Sequence, residues 1–276
     1  MTTHSDPGAG DDRGTRFNVR EFARTARGNH RTELDLAEFA STPLNAETLH
    51  AVRYLGRLES ATMEHLRNLL VTATHKDARV TAFLVTWAFE KFWLADALDA
   101  VLEANGLPRV QDVEEGRKRR TVSESHDRRG PIRRAISAIR LGVPIIALHM
   151  TTGLVDEWVT RAAYEKLSAA GDSASLRSTI AMILEVKSRH AAFFEDDARR
   201  RLAEPAAARL TAKEIVTQAW PIGAIDRSAE DRTFFDEYVF GGDDGRARAV
   251  AIEARIAALP GLDQRVAARI RERLVP

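Results

Sequence analysis

Five ionisable residues form the most informative pattern in this sequence, because two similar segments place them at equivalent positions. The later segment carries Glu157 and then Lys187 and His190, which are three residues apart. The earlier segment carries Glu59 and, 32 residues further on, Lys91; Glu157 and Lys187 are 30 residues apart. Carboxylates and imidazoles on facing helices are side chains that bind metal ions. A lysine among them carries a positive charge of its own, which can neutralise the carboxylates in place of a metal ion. The pattern predicts a buried polar cluster that either binds metal or neutralises itself.

An internal repeat supports the pairing of these positions. Without gaps, residues 58–62 align with residues 156–160, so that Glu59 falls on Glu157, and Leu66 falls on Tyr164. The repeat predicts two helix pairs that face each other, with the five ionisable residues between them.

Residues 153–194 predict the later pair: two long helices joined by a tight turn. Gly171 is suited to end the first of these helices, and Asp172 or Ser173 to cap the second. Their apolar stripes contain Leu154, Trp158, Ala162, Leu167, Ile180, Leu184, Ala191 and Phe194. We expect the first helix to start near Ile132, to bend at Pro144 and to end near Ser168, and the second to end near Ala203 and before Pro205.

Helix signals of the same kind predict the earlier pair. Asn45 is a capping residue for a helix that runs to about Ala73. Asp77 is suited to begin a second helix, which ends at Asn105 and Gly106.

The chain divides into three predicted parts. Residues 1–30 are polar and predict a disordered tail that settles near Phe17 to Phe22. Residues 31–204 predict the helical bundle, including a charged crossover over residues 109–134. Residues 205–276 predict a helical appendage. Within it we expect a helix start at Thr211, an amphipathic helix over 228–240, a turn over 241–245, and short helices over 246–259 and 263–274.

The composition of the chain excludes several kinds of site and indicates where the protein is located. The chain has 276 residues, no cysteine, and 41 basic against 40 acidic residues. Without cysteine there are no disulfides, thiolate metal sites or cysteine nucleophiles. No apolar run approaches the length that spans a bilayer, so we expect a cytoplasmic protein without membrane contact. Frequent Ala–Arg pairings indicate a GC-rich bacterial genome. Gly-rich phosphate loops, Ser-His-Asp order and zinc motifs do not occur.

With Glu59, Glu157 and His190 on paired helices, residues 45–203 resemble the ferritin-like (di-iron carboxylate) superfamily, and most nearly the acyl-carrier-protein desaturase branch. Members of that superfamily hold two metals between two helix pairs, with one Glu and one Glu-x-x-His from each pair. The resemblance implies an all-α, ferritin-like four-helix bundle with a long crossover and extra C-terminal helices. It also implies a homodimer.

The sequence departs from that ligand set at three positions. Lys91 and Lys187 stand where the motif glutamates are expected, and Leu94 stands where the first histidine is expected. An alternative register uses Glu90, but this pairs it with Trp93, which is no ligand. The lysines would pair with the glutamates and repel an incoming cation.

Three functional hypotheses follow. The first is a protein without the di-iron site or any other cofactor, non-catalytic or metal-independent, in which Glu59, Lys91, Glu157, Lys187 and His190 form a structural layer or line a pocket for a small acyl or anionic ligand. The second is a divergent di-iron-type oxidoreductase, acting on an acyl or similar substrate, with iron or manganese in an atypical site. The third is that the basic crossover binds nucleic acid or an acidic partner. A lysine in the bundle core that acts as base or Schiff-base nucleophile is a further alternative. Nucleic acid is disfavoured as a partner of the basic residues within 117–134, because no aromatic residues interleave with them.

Overall fold

All regular structure in the described part of the chain is helical. The computed structural model describes residues 16–110, 142–170, 173–223 and 228–276. The α-helices are, in chain order, α1 (Val19–Arg24), α2 (Leu36–Ser41), α3 (Ala46–Ser60), α4 (Thr62–Leu70), α5 (Ala78–Ala104), α6 (Ile145–Ala170), α7 (Ala174–Leu202), α8 (Pro205–Ile215), α9 (Ala229–Phe240), α10 (Gly242–Ala257) and α11 (Gln264–Arg271). Two 3₁₀ turns lie at His30–Glu33 and Ala73–Lys76. The all-α prediction is confirmed.

Four long helices form the centre of the molecule. Helix α6 packs along α7, and α3 packs along α5. The two pairs meet where α3 contacts α6 and where α5 contacts α7. Helix α8 covers α6 and α7, and α9 and α10 contact α6. The four central helices therefore carry the candidate site between them. None of the described helices has the length and hydrophobicity that crossing a membrane requires.

Side-chain caps begin these helices where the sequence predicts them. Asn45 accepts a hydrogen bond from the backbone N–H of Thr48, and Asp77 accepts one from that of Val80. Ser173 caps α7 in the same way. Ser228 and Asp263 cap α9 and α11. Each cap satisfies a backbone donor that has no partner within its helix.

Some predicted boundaries are wrong. The single helix predicted from Asn45 to Ala73 is broken at Ala61 into α3 and α4. Its apolar periodicity continues across the break, so the sequence pattern did not reveal it. In the predicted tail, α1 lies at residues 19–24 and buries Phe22, which is where the tail is predicted to settle.

Two further corrections concern the appendage. Thr211 lies inside α8 and is buried, so it does not start a helix. The predicted turn over 241–245 is confined to Gly241, because α10 begins at Gly242. Asp243 and Asp244 occupy the first turn of α10, where acidic side chains are favoured by the helix dipole. The polar, Gly-rich composition resembled a turn but belongs to a helix N-terminus.

Other predictions lie outside the described residues. These are the helix start near Ile132, the Gly171 and Asp172 turn, and the basic residues within 117–134. The described part of the first helix of the later pair begins at Ile145, directly after Pro144.

A close approach of α6 and α7 depends on Gly153. A Cβ atom added there would lie 2.5 Å from Cε1 of Phe194, which is itself buried. The absence of a side chain lets the aromatic ring rest directly on the α6 backbone.

Candidate functional site

The five predicted residues lie together between the four central helices. The Nζ atom of Lys91 on α5 lies 2.7 Å from Oε2 of Glu59 on α3. The Nζ atom of Lys187 on α7 lies 2.7 Å from Oε2 of Glu157 on α6 and 3.5 Å from Oε1 of Glu59. His190 Nδ1 lies 3.5 Å from Oε1 of Glu157. Glu59 thus bridges both lysines, and one continuous chain of charges joins the two helix pairs.

The cluster is removed from solvent. Relative exposure is 1% for Glu59, 3% for Lys91, 2% for Glu157, 2% for Lys187 and 0% for His190. Charged groups are almost never this buried unless they are paired. The two lysines balance Glu59 and Glu157 in number, so these four residues are neutral as a set.

Two aromatic side chains donate hydrogen bonds to the same carboxylates. The Tyr164 hydroxyl donates to Oε1 of Glu59 over 2.9 Å. The Trp87 indole N–H donates to Oε1 of Glu157 over 3.2 Å. The two carboxylates therefore receive hydrogen bonds in addition to their ion pairs, which buried ion pairs need in order to offset desolvation.

Glu90 is a sixth member that the chosen sequence register did not include. Its Oε2 lies 2.9 Å from His190 Nε2, and its Oε1 accepts the backbone N–H of Arg27 over 2.7 Å. The guanidinium of Arg189 lies 3.3 Å from the same Oε1. Glu90 and Lys91 are consecutive, and both face inward because α5 is covered on more than one side. We call Glu59, Glu90, Lys91, Glu157, Lys187 and His190 the charged network.

The ion pairs of the charged network shift the pKa values of Glu59, Glu157 and Lys187 more than burial does. Burial alone would raise the pKa of Glu157, but the Lys187 ammonium and the neighbouring imidazole of His190 hold it well below the usual value. Burial likewise opposes ionisation of Glu59, and Lys187 and Lys91 lower its pKa nevertheless. Burial would lower the pKa of Lys187, but Glu157 and Glu59 raise it further than burial lowers it. Burial and Glu59 together raise the pKa of Tyr164 well above 10.0, so it remains a neutral donor.

These residues do not fit the two metals that the resemblance implies. The ammonium groups of Lys91 and Lys187 sit against the carboxylates that would have to bind the metals. Within the described ranges, no group of three or more His, Asp or Glu side chains has an arrangement that could hold a metal ion. Two divalent cations would have to approach two fixed positive charges in a medium that screens them poorly.

A pocket of about 700 Å³ adjoins the charged network. Its walls come from α3, α4, α5, α6 and residues 217–223, with Arg273 from the C-terminal end. Lys91 lines the pocket as well as pairing with Glu59, so it connects the two. Trp87, Leu58 and Ile222 supply apolar surface, and His65 and Glu64 supply polar surface. The volume is in the range of small-molecule sites in proteins.

Two pocket residues have pKa values that burial shifts. The pKa of Asp156 is raised to about 6 by burial, against the opposing effects of Lys91 and of the backbone N–H of Ile222. That N–H donates to Oδ1 of Asp156 over 2.6 Å. Burial lowers the pKa of His65 to about 4, with a further contribution from Lys91, so its imidazole is neutral at pH 7. Asp156 entered the sequence analysis only through the internal repeat, next to Glu157.

The comparisons with known proteins add no family. No protein-family model matches the chain, and no curated protein or solved structure is similar to it.

Proposed function

We propose that this protein is a ferritin-like bundle that has lost the di-metal site and works as a metal-independent binding protein for a small organic ligand. In this proposal the lysines of the charged network neutralise its buried carboxylates, as metal ions would, and the adjoining pocket binds the ligand. The single observation that carries it is the position of Lys91, which contributes to the charged network and to the pocket wall at once.

The state of the network supports binding over catalysis by lysine. A lysine acts as a base or as a Schiff-base nucleophile only after it loses its proton. Glu157 and Glu59 raise the pKa of Lys187, so its nitrogen remains an ammonium group at physiological pH. Lys187 is also buried and, unlike Lys91, is not among the residues that line the pocket.

The charged side chains of the pocket wall favour a ligand that carries complementary charge. Lys91 and Arg273 are basic, and Asp156 and Glu64 are acidic, so the wall offers both signs. The acyl or anionic ligand of the sequence analysis is one class that Lys91 would attract. Cytoplasmic localisation and a homodimer stay predictions.

The proposal is tested by measuring metal content and ligand-induced stabilisation on the same preparation. Elemental analysis of protein expressed in iron- and manganese-supplemented medium should find far less than one metal per chain. A thermal-shift screen against small carboxylates, amino acids and amines should give stabilising compounds whose effect is lost in Lys91→Met. The matched control is Lys76→Met, which removes an exposed lysine outside the pocket and should keep the effect.

Stoichiometric iron or manganese in the native protein would overturn the proposal that the protein works without metal. Ligand binding that is the same in Lys91→Met and in the native chain would overturn the assignment of the pocket. A melting curve of each variant without ligand separates loss of binding from loss of folding.

A further inference from the structure

Asp156 and Lys91 bring opposite charges to the same pocket. Asp156 is 5% exposed and Lys91 is 3% exposed, and both line the pocket. Each is anchored to the protein on one side: Lys91 by Glu59, and Asp156 by the backbone N–H of Ile222. Each therefore has a fixed position and donor or acceptor capacity left over, because an ammonium has three donors and a carboxylate has about four acceptor sites.

Asp156 differs from the glutamates of the charged network because it has no cation of its own. Within the described residues Asp156 makes no ion pair, and the only hydrogen bond to its side-chain carboxylate is the one from the backbone N–H of Ile222. A buried carboxylate without a paired cation is costly, and its raised pKa reports that cost. A ligand that places a positive charge next to Asp156 would reduce the free-energy cost of this buried carboxylate.

A ligand with only one charge would not suit both groups. A simple carboxylate would be attracted by Lys91 but would face the Asp156 carboxylate. A simple amine would be attracted by Asp156 but would face the Lys91 ammonium. A zwitterion satisfies both groups at once, and unpaired buried charges are what a site discriminates against most strongly.

We propose that the pocket binds a small zwitterion of the α-amino-acid type, with its carboxylate at Lys91, its ammonium at Asp156 and an apolar side chain against Leu58, Trp87 and Ile222. This inference rests on the proposed function, since it specifies the ligand class of the same pocket. An amino acid carries both charges on one carbon, and a side chain placed against Trp87 buries apolar surface.

The test uses three probes that share one phenyl body: phenylalanine, 3-phenylpropanoate and 2-phenylethylamine. Isothermal titration calorimetry on the full chain at pH 7.5 should show that phenylalanine binds roughly tenfold to a hundredfold more tightly than either single-charge probe, as expected when one buried charge is left unpaired. This comparison needs no variant, so it does not depend on how a substituted chain folds.

Two variants then assign each charge. Asp156→Asn keeps the shape and can still accept the hydrogen bond from Ile222, so it should remove the advantage of phenylalanine over 3-phenylpropanoate. Lys91→Met should remove its advantage over 2-phenylethylamine. The control is Asp99→Asn: Asp99 is also buried, accepts the backbone N–H of Val110 over 2.8 Å and has a pKa raised by burial, but it lies outside the pocket. Asp99→Asn should leave all three affinities unchanged.

The results separate this inference from the proposed function. Equal binding of phenylalanine and 3-phenylpropanoate to the native chain would overturn the zwitterion and leave a carboxylate-binding pocket. Binding of 2-phenylethylamine as tightly as phenylalanine would overturn it in favour of an amine. Failure of all three probes to bind would overturn the amino-acid class, while the metal analysis and the wider screen still decide the proposed function.

Discussion

Replacing Lys187 with methionine removes the central cation of the charged network while nearly conserving side-chain volume. The ammonium lies 2.7 Å from Glu157 and 3.5 Å from Glu59, and all three side chains are buried. Methionine fills the space left by the aliphatic stem, so the dominant loss is electrostatic.

The magnitude follows from these two distances. At an effective dielectric constant of about 20, a pair of unit charges attracts by roughly 6 kcal/mol at 2.7 Å and roughly 5 kcal/mol at 3.5 Å. Much of this gross attraction offsets the desolvation of the charges in the folded protein. Removing one partner of a buried ion pair typically costs about 3–5 kcal/mol in the free energy of unfolding, because it leaves a buried charge uncompensated. We expect Lys187→Met to lose that amount at pH 7.

The pH dependence gives the prediction its signature. The pKa values of Glu59 and Glu157 are lowered in the native fold, so their contribution is present above the ordinary value of 4.5 and is lost as pH falls through the folded value. The pKa of Lys187 is raised, so its contribution is complete at pH 7 and is lost only as pH rises through its folded value. Without Lys187 the two carboxylates accept protons more readily. The deficit of Lys187→Met should therefore be largest near pH 7 and shrink towards pH 4.5.

The assay is urea unfolding, followed by far-ultraviolet circular dichroism, at several pH values between 4.5 and 7.5. The charge-balanced double variant Glu157→Gln/Lys187→Met should recover about 2 kcal/mol or more of the loss, because removing both partners leaves less uncompensated charge. Lys76→Met, at an exposed position, should change stability by less than about 0.5 kcal/mol. A deficit below about 1 kcal/mol, or one that stays constant with pH, would refute the reasoning that the buried ion pairs of Lys187 stabilise the fold.

The remaining predictions concern metal affinity, helix packing and assembly. Replacing Lys91 and Lys187 together with glutamate should raise the affinity for divalent metals, measured by metal titration and elemental analysis; unchanged metal content would contradict the proposed correspondence with metal-ligand positions. Gly153→Ala should cost about 1–3 kcal/mol, because the new Cβ would lie 2.5 Å from Phe194. The control is Gly56→Ala, also within a helix, where the new Cβ would lie 3.4 Å from the nearest atom. This change should be neutral or should stabilise the protein by up to about 1 kcal/mol. Equal effects of the two changes in thermal melting would be inconsistent with the packing argument. Sedimentation velocity should give a mass of about twice 30.6 kDa for the predicted homodimer, and a mass of one chain would contradict it.

Local signals determined much of the helical framework. Asn45, Asp77, Ser173 and Ser228 cap helices at the predicted places, because capping depends on a side chain and a backbone N–H only two or three residues away. The break at Ala61 was not predictable in this way, since the apolar stripe is the same on both sides of it.

The internal repeat also placed Glu59, Lys91, Glu157 and Lys187 on facing helices. Helical periodicity gives the direction of a residue to within roughly one 100° step, which is enough to bring such side chains to a common interior.

Tertiary structure decided the rest of the site. Periodicity alone could not show that both Glu90 and Lys91 face inward, because that depends on how many neighbours cover α5. Nor could it show that Asp156 meets the backbone N–H of Ile222, 66 residues away, at the wall of a pocket. The sequence by itself determined the helices and the charges available to their interior. The packing of distant segments decided which charges pair within the described part of the protein, and it placed the Asp156 carboxylate at the pocket wall without an ion-pair partner.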